Sequence, residues 1–147
     1  MPDHPPPIAS SPPRSRQRIL WAVILLETAL LMLTFAANAG VSATAAQLGF
    51  GSAPLVLLVL ALAIGIGALA RSLAGALFLA PTPYMLAIGL NAFTAWLAPA
   101  WLPVLQAMFS GGLLPGSPVN GLLPLAAFGF LGWLGWLAGG RQAAPHH

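Results

Sequence analysis

The sequence predicts an all-α integral membrane protein: a four-helix transmembrane bundle with a disordered, proline-rich N-terminal tail. Three observations carry this reading. First, 59% of the 147 residues are hydrophobic and only 5% are charged, against about 25% charged in a soluble domain. Such a chain suits lipid, where charge is costly and apolar side chains need no burial. Second, apolar runs of membrane length recur along the chain. Third, the five basic residues, all arginine, stand mostly at the ends of those runs, where they set topology.

Residues 1–17 (MPDHPPPIASSPPRSRQ) hold six prolines and three serines and are expected to be a disordered cytoplasmic tail. Arg14, Arg16 and Arg18 precede the first apolar run and, by the positive-inside rule, keep the N-terminus in the cytoplasm. The first helix is expected over 18–38. Ala37-Asn38-Ala39 looks like a signal-peptidase site, but the run before it is about 19 residues, longer than the 7–15 of a signal peptide, and it contains an acid. The segment is therefore kept as a helix.

Residues 40–53 are small and weakly polar and form a short external connection. The second helix is expected over 54–80, opening on Pro54, where the missing N–H does no harm, and closing at Pro81-Thr82-Pro83. An alternative splits it at Arg71, with 72–80 re-entrant. The third helix is expected over 84–109, kinked or stopped near Ala98 by Pro99 and Pro103, with Trp96 and Trp101 in an aromatic belt. Residues 110–121 are turn chemistry. The fourth helix is expected over 122–138, at the short limit for a core of about 30 Å, followed by Gly139, Gly140 and Arg141 and a solvated tail over 142–147. Four crossings with both termini cytoplasmic place all five arginines on one side. The absence of lysine beside abundant Ala, Leu, Gly, Pro and Arg suggests a bacterial chain and hence the inner membrane.

Few polar groups lie within these helices. Glu27 is nine residues in from Arg18, about 13 Å deep, where a charge costs several kcal/mol; it must be neutral, paired or facing a cavity. With a helix over 54–80, Arg71 falls at matching depth, and Asn91 is seven residues into the third helix from the same side. Glu27, Arg71 and Asn91 are thus expected to form one intramembrane polar layer. Glu27, Leu31, Thr34 and Asn38 share a helix face, as do Ala87, Asn91, Ala95 and Ala98. Ala61 and Gly65 have small-xxx-small spacing. Gly129, Gly132, Gly135 and Gly139 line one side of the fourth helix as a packing face, turned either to the chain itself or to a partner subunit.

These residues exclude several activities. No cysteine is present, so there is no disulfide and no thiolate chemistry. The histidines lie in the tails, which leaves no Ser–His–Asp set and no internal haem ligand. A single intramembrane acid provides no carboxylate pair for acid–base work. No enzyme activity, cofactor or metal is expected, and the dispersed arginines give no nucleic-acid surface. Leu25-Leu26-Glu27-Thr28, an acid in the first of four short helices, resembles the small multidrug resistance exporters. There a helix-1 glutamate exchanges protons for cationic drugs. The long tail, the prolines of the third helix and the membrane arginine depart from that pattern, and membership is not assigned.

Two functions fit the sequence. The first is a non-catalytic accessory or assembly subunit, in contact with membrane lipid, that packs against a larger inner-membrane complex. The second is a small proton- or cation-coupled transporter using Glu27, expected as a homo-oligomer. They differ on one point: a Glu27–Arg71 ion pair makes the acid an anchor of helix packing, whereas an unpaired Glu27 is free to load and release.

Overall fold

The computed structural model describes residues 14–50, 52–110 and 119–141. The tail over 1–13, most of the turn over 110–121 and the C-terminal residues 142–147 lie outside the described residues. Among those described, all regular structure is helical: α1 (Arg14–Asn38), α2 (Ala43–Gln47), α3 (Ala53–Leu69), α4 (Leu73–Leu79), α5 (Thr82–Leu97), a 3-10 turn (Pro99–Trp101), α6 (Leu102–Ser110) and α7 (Val119–Arg141).

Three stretches are long and apolar enough to cross a membrane: Ser15–Asn38, Leu73–Leu97 and Leu122–Gly139. They carry large apolar side chains on the outside, including Leu25, Leu26, Phe78, Phe93, Trp96, Leu122 and Phe130. Apolar residues facing outward in such number fit a lipid environment, not water. The chain is a membrane protein by this measure.

Local sequence explains the ends of the elements. α1 begins at Arg14, so residues 14–17, expected in the tail, form its first turn. It closes in a Schellman motif: Val41 N–H bonds to the carbonyl of Ala36 and Gly40 N–H to that of Ala37, with Gly40 at φ +69°, where only glycine is unstrained. Ser42 caps α2 by accepting from the N–H of Ala45 at 3.2 Å. α3 starts at Ala53, with Pro54 in its first turn, and stops at Leu69, where Ala70 turns extended.

That stop corrects the second expected helix. The break falls at 70–72, with Arg71 exposed, because Ser72 caps a new helix by accepting from the N–H of Gly75 at 3.0 Å. Pro81-Thr82-Pro83, in turn, is a joint and not a terminus. Ala80 and Pro81 keep right-handed helical backbone, and Thr82 Oγ1 donates to the carbonyl of Phe78 at 2.8 Å across the joint. Polar side chains commonly support prolines inside membrane helices in this way. The split at Arg71 is thus present, and Leu73–Leu97 forms one stretch long and apolar enough to span a membrane. α5 ends at Leu97, since Ala98 precedes Pro99 and is extended. α6 then packs on α5 and α1, so residues 102–109 fold back instead of prolonging the third helix.

Packing fixes the directions. Arg16 donates to the carbonyl of Ala68. Ile24, Ile66 and Ala80 share one core layer, and Leu31, Val59, Ala63, Tyr84, Ala87, Met108 and Phe128 share the next. α1 and the α4–α5 span therefore run one way, and α3 the other. α7 accompanies α3, in the largest helix contact among the described residues.

Candidate functional site

The interior between α1 and α5 holds most of the buried polar chemistry. Ile24, Glu27, Thr28 and Leu31 follow the three- and four-residue spacing of one helix face, and all are buried. Ile24 belongs to one core layer and Leu31 to the other, so Glu27 enters between them. Its relative exposure is 0%, and neither carboxylate oxygen has a hydrogen-bond partner among the described residues. Thr28, beside it, is satisfied locally, donating to the carbonyl of Ile24 at 2.8 Å.

Three more buried oxygens share this condition: the hydroxyls of Thr34 and Tyr84 and Oδ1 of Asn91. Thr34 is seven residues beyond Glu27 on α1, and Asn91 is seven beyond Tyr84 on α5. Each pair therefore shares a face and is separated by about 10 Å along its helix. Since α1 and α5 run the same way and Leu31 lies level with Tyr84 and Ala87, the order along the bundle is Glu27, Tyr84, Thr34, Asn91. Tyr84 is fixed by its ring, stacked on Phe128 at 5.8 Å and tilted against Phe35 at 6.2 Å. Asn91 Nδ2 donates to Met108 Sδ at 3.5 Å, a weak acceptor. Leaving a buried polar group unmatched costs about 1–3 kcal/mol, so four in one interface is an unusual concentration.

Arg71 is not part of this column. It is exposed at the junction of α3 and α4 and lines a cavity with Arg16. Arg16 precedes Glu27 by eleven residues on α1, about 16 Å. The expected layer of Glu27, Arg71 and Asn91 therefore resolves into three heights: Arg71 at the helix ends, Glu27 inside, and Asn91 further on. The second helix ends at Leu69 instead of Ala80, which moves Arg71 from nine residues inside to the rim. Asn91 is buried as Glu27 is, but it bonds to Met108 of the second core layer, beyond the level of Glu27.

The glycine face is occupied by the chain's own backbone. A Cβ at Gly67 would fall on the carbonyl of Gly132, and one at Gly135 on the carbonyl of Ile64. One at Gly132 would lie 2.6 Å from the carbonyl oxygen of Ala76, and one at Gly139 2.9 Å from that of Ala68. At Gly129 the nearest atom is the carbonyl oxygen of Leu77, at 3.8 Å.

Two members of the column were less legible than Glu27. Thr34 is on the Glu27 face, but a threonine commonly bonds its own helix and draws no notice. Tyr84 reads as a residue at a helix end after Pro83; its seven-residue spacing to Asn91 is the signal that connects it to the interior. Among the described residues no three metal-ligating side chains come together. Comparison with family models, with curated proteins and with solved structures finds no match to this chain.

Proposed function

We propose that this protein is a small transporter of protons, or of a cation coupled to protons, with Glu27 as its loading group. One observation carries the reading: a fully buried carboxylate, inside a membrane-length helix, with both oxygens unpartnered and the nearest expected cation, Arg71, at the rim. A structural ion pair would hold such an acid permanently charged and occupied. An acid without one exchanges a proton or a cation, and intramembrane acids in this position mark transport pathways. Tyr84, Thr34 and Asn91 supply further oxygens along the same interface, a series over which a proton or a partly dehydrated cation is handed on.

The topology proposed is four crossings: α1, α3, the α4–α5 span and α7. At 17 residues, α3 extends about 25 Å and is at the lower limit of a crossing. Arg16, Arg18, Arg71 and Arg141 then gather at one end, which the positive-inside rule makes cytoplasmic, in the inner membrane of a bacterium. A second reading, an accessory subunit against a larger complex, draws on the exposed aromatic residues Phe78, Phe93 and Trp96, a surface that a partner could cover in place of lipid.

The test is flux in sealed vesicles. Purified protein reconstituted into liposomes under a potassium diffusion potential should move protons faster than empty liposomes, and Glu27→Gln should return the rate to the empty-liposome value. Size exclusion in detergent checks that the variant is folded. Equal flux from wild type and Glu27→Gln sinks the transport reading. Co-purification of a stoichiometric membrane partner, without flux, favours the subunit reading.

A further inference from the structure

The second concentration of polar side chains is at the opposite extreme of burial, at the rim where α1, α3 and α4 meet. A cavity of about 320 Å³ opens there, within the range typical of small-ligand sites. Arg16 and Arg71 stand over it with Ser72, while Leu20, Leu69 and Leu79 form its walls. Leu20 is one turn deeper than Arg16 on α1, so the apolar lining extends toward the membrane interior below the charges.

Among the described residues neither cation has an acidic partner at the rim. Glu27 is the only acid among the described residues, and it is buried about 16 Å along the helix from Arg16. One N–H of Arg16 goes to the carbonyl of Ala68, at 3.3 Å, which holds the guanidinium over the α3–α4 break and leaves its other donors unused by that bond. Ser72 Oγ accepts from Gly75 N–H and keeps its own proton to donate. Two guanidinium forks and a hydroxyl above leucine walls match a phosphate oxyanion that carries an apolar body beneath it.

We propose that this cavity binds a phosphate group, presented by the head group of an anionic phospholipid or as free phosphate. The leucine walls and the position at the helix ends favour the lipid, since basic pockets between membrane helices suit anionic head groups. The site is independent of Glu27 and of transport.

The experiment uses the full chain in nanodiscs of mixed phosphatidylglycerol and phosphatidylcholine, read by native mass spectrometry after release into neutral detergent. Wild type should retain phosphatidylglycerol over phosphatidylcholine. The double variant Arg16→Gln/Arg71→Gln should lose that retention by roughly tenfold to a hundredfold, as expected for two charge-assisted contacts. Arg18→Gln, which changes charge outside the cavity, should leave it intact. A parallel arm measures the thermal shift of delipidated protein with inorganic phosphate. A shift lost in the double variant, without selective lipid retention, upholds a phosphate site and assigns it to free phosphate. Retention equal in wild type and the double variant, or lost equally with Arg18→Gln, together with no phosphate shift, overturns the site.

Discussion

Two helix contacts in this protein are built on opposite principles. Where α7 meets α3 and α4, Gly132 and Gly135 bring the helix against backbone carbonyls and the Cβ of Ala80, and among the described residues no stranded polar oxygen lies in the contact. Where α1 meets α5, four residues (Glu27, Thr34, Tyr84 and Asn91) leave buried oxygens without a partner among the described residues. In lipid, helices gain nothing from hydrophobic burial against each other, so association depends on close packing and polar contacts. The first contact uses close packing fully. The second leaves its polar capacity unspent. The glycine seam is thus the frame of the bundle, and the α1–α5 interface is where the buried oxygens on which the proposed transport rests lack partners among the described residues.

The largest effect expected is at the seam. Gly135→Leu places its Cβ on the Ile64 carbonyl, and a backbone obstruction cannot rotate aside. Overpacking commonly costs 1–3 kcal/mol and more where nothing yields, so the loss here should exceed about 3 kcal/mol. Size exclusion in mild detergent should show aggregated protein. A monodisperse Gly135→Leu variant of wild-type thermal stability would mean that α3 and α7 do not touch.

The next effect concerns function and not folding. Glu27→Gln should abolish proton flux in liposomes and leave the melting temperature within a few degrees of wild type. Glu27→Leu should fold equally well or better, because replacing an unmatched buried group with an apolar one removes a desolvation cost of about 1–3 kcal/mol. An ion pair with Arg71 predicts the reverse, with Glu27→Leu strongly destabilised and rescued by Arg71→Leu. The thermal stability of the two single variants and the double variant separates the cases.

The comparison also shows what could be read from the residues. Membrane residence and the apolar helices follow from composition, and the groove along Gly129, Gly132, Gly135 and Gly139 from helical spacing alone. The error lies between residues 69 and 84. Gly and Pro are the usual punctuation of soluble chains, and Pro81-Thr82-Pro83 looks like a full stop. In a membrane helix Thr82 and the packed neighbours support those prolines, and the helix continues. The real break at Ala70–Ser72 has neither Gly nor Pro; its only mark is a serine three residues before the N–H it caps. Moving that boundary moved Arg71 to the rim and dissolved the expected pairing of Glu27. The same boundary obscures Tyr84, because a helix that starts there leaves it at a terminus and not inside the bundle.

A smaller effect is expected at Tyr84. Tyr84→Phe removes one unmatched hydroxyl and keeps the ring between Phe128 and Phe35, so thermal stability should hold within about 0.5 kcal/mol or rise slightly. If the hydroxyl is a step on the proton path, flux in liposomes should fall while stability does not. A fall in both would show that the hydroxyl has a structural partner.

The smallest effect tests the seam from within. Gly129 has the same spacing as Gly132 and Gly135, and sequence gives no reason to treat it differently. Its added Cβ would meet the Leu77 carbonyl oxygen at 3.8 Å, an ordinary van der Waals contact, whereas at Gly132 the same atom would be 2.6 Å from the Ala76 carbonyl oxygen. Gly129→Ala should therefore be tolerated, with a change within about 1 kcal/mol whose favourable part is the helix propensity of alanine over glycine. Gly132→Ala should lower the melting temperature clearly. Equal loss at both positions would mean that α7 lies closer to α4 along its whole length than the Leu77 contact indicates. Tolerance at both would mean that the seam is not where the bundle is held.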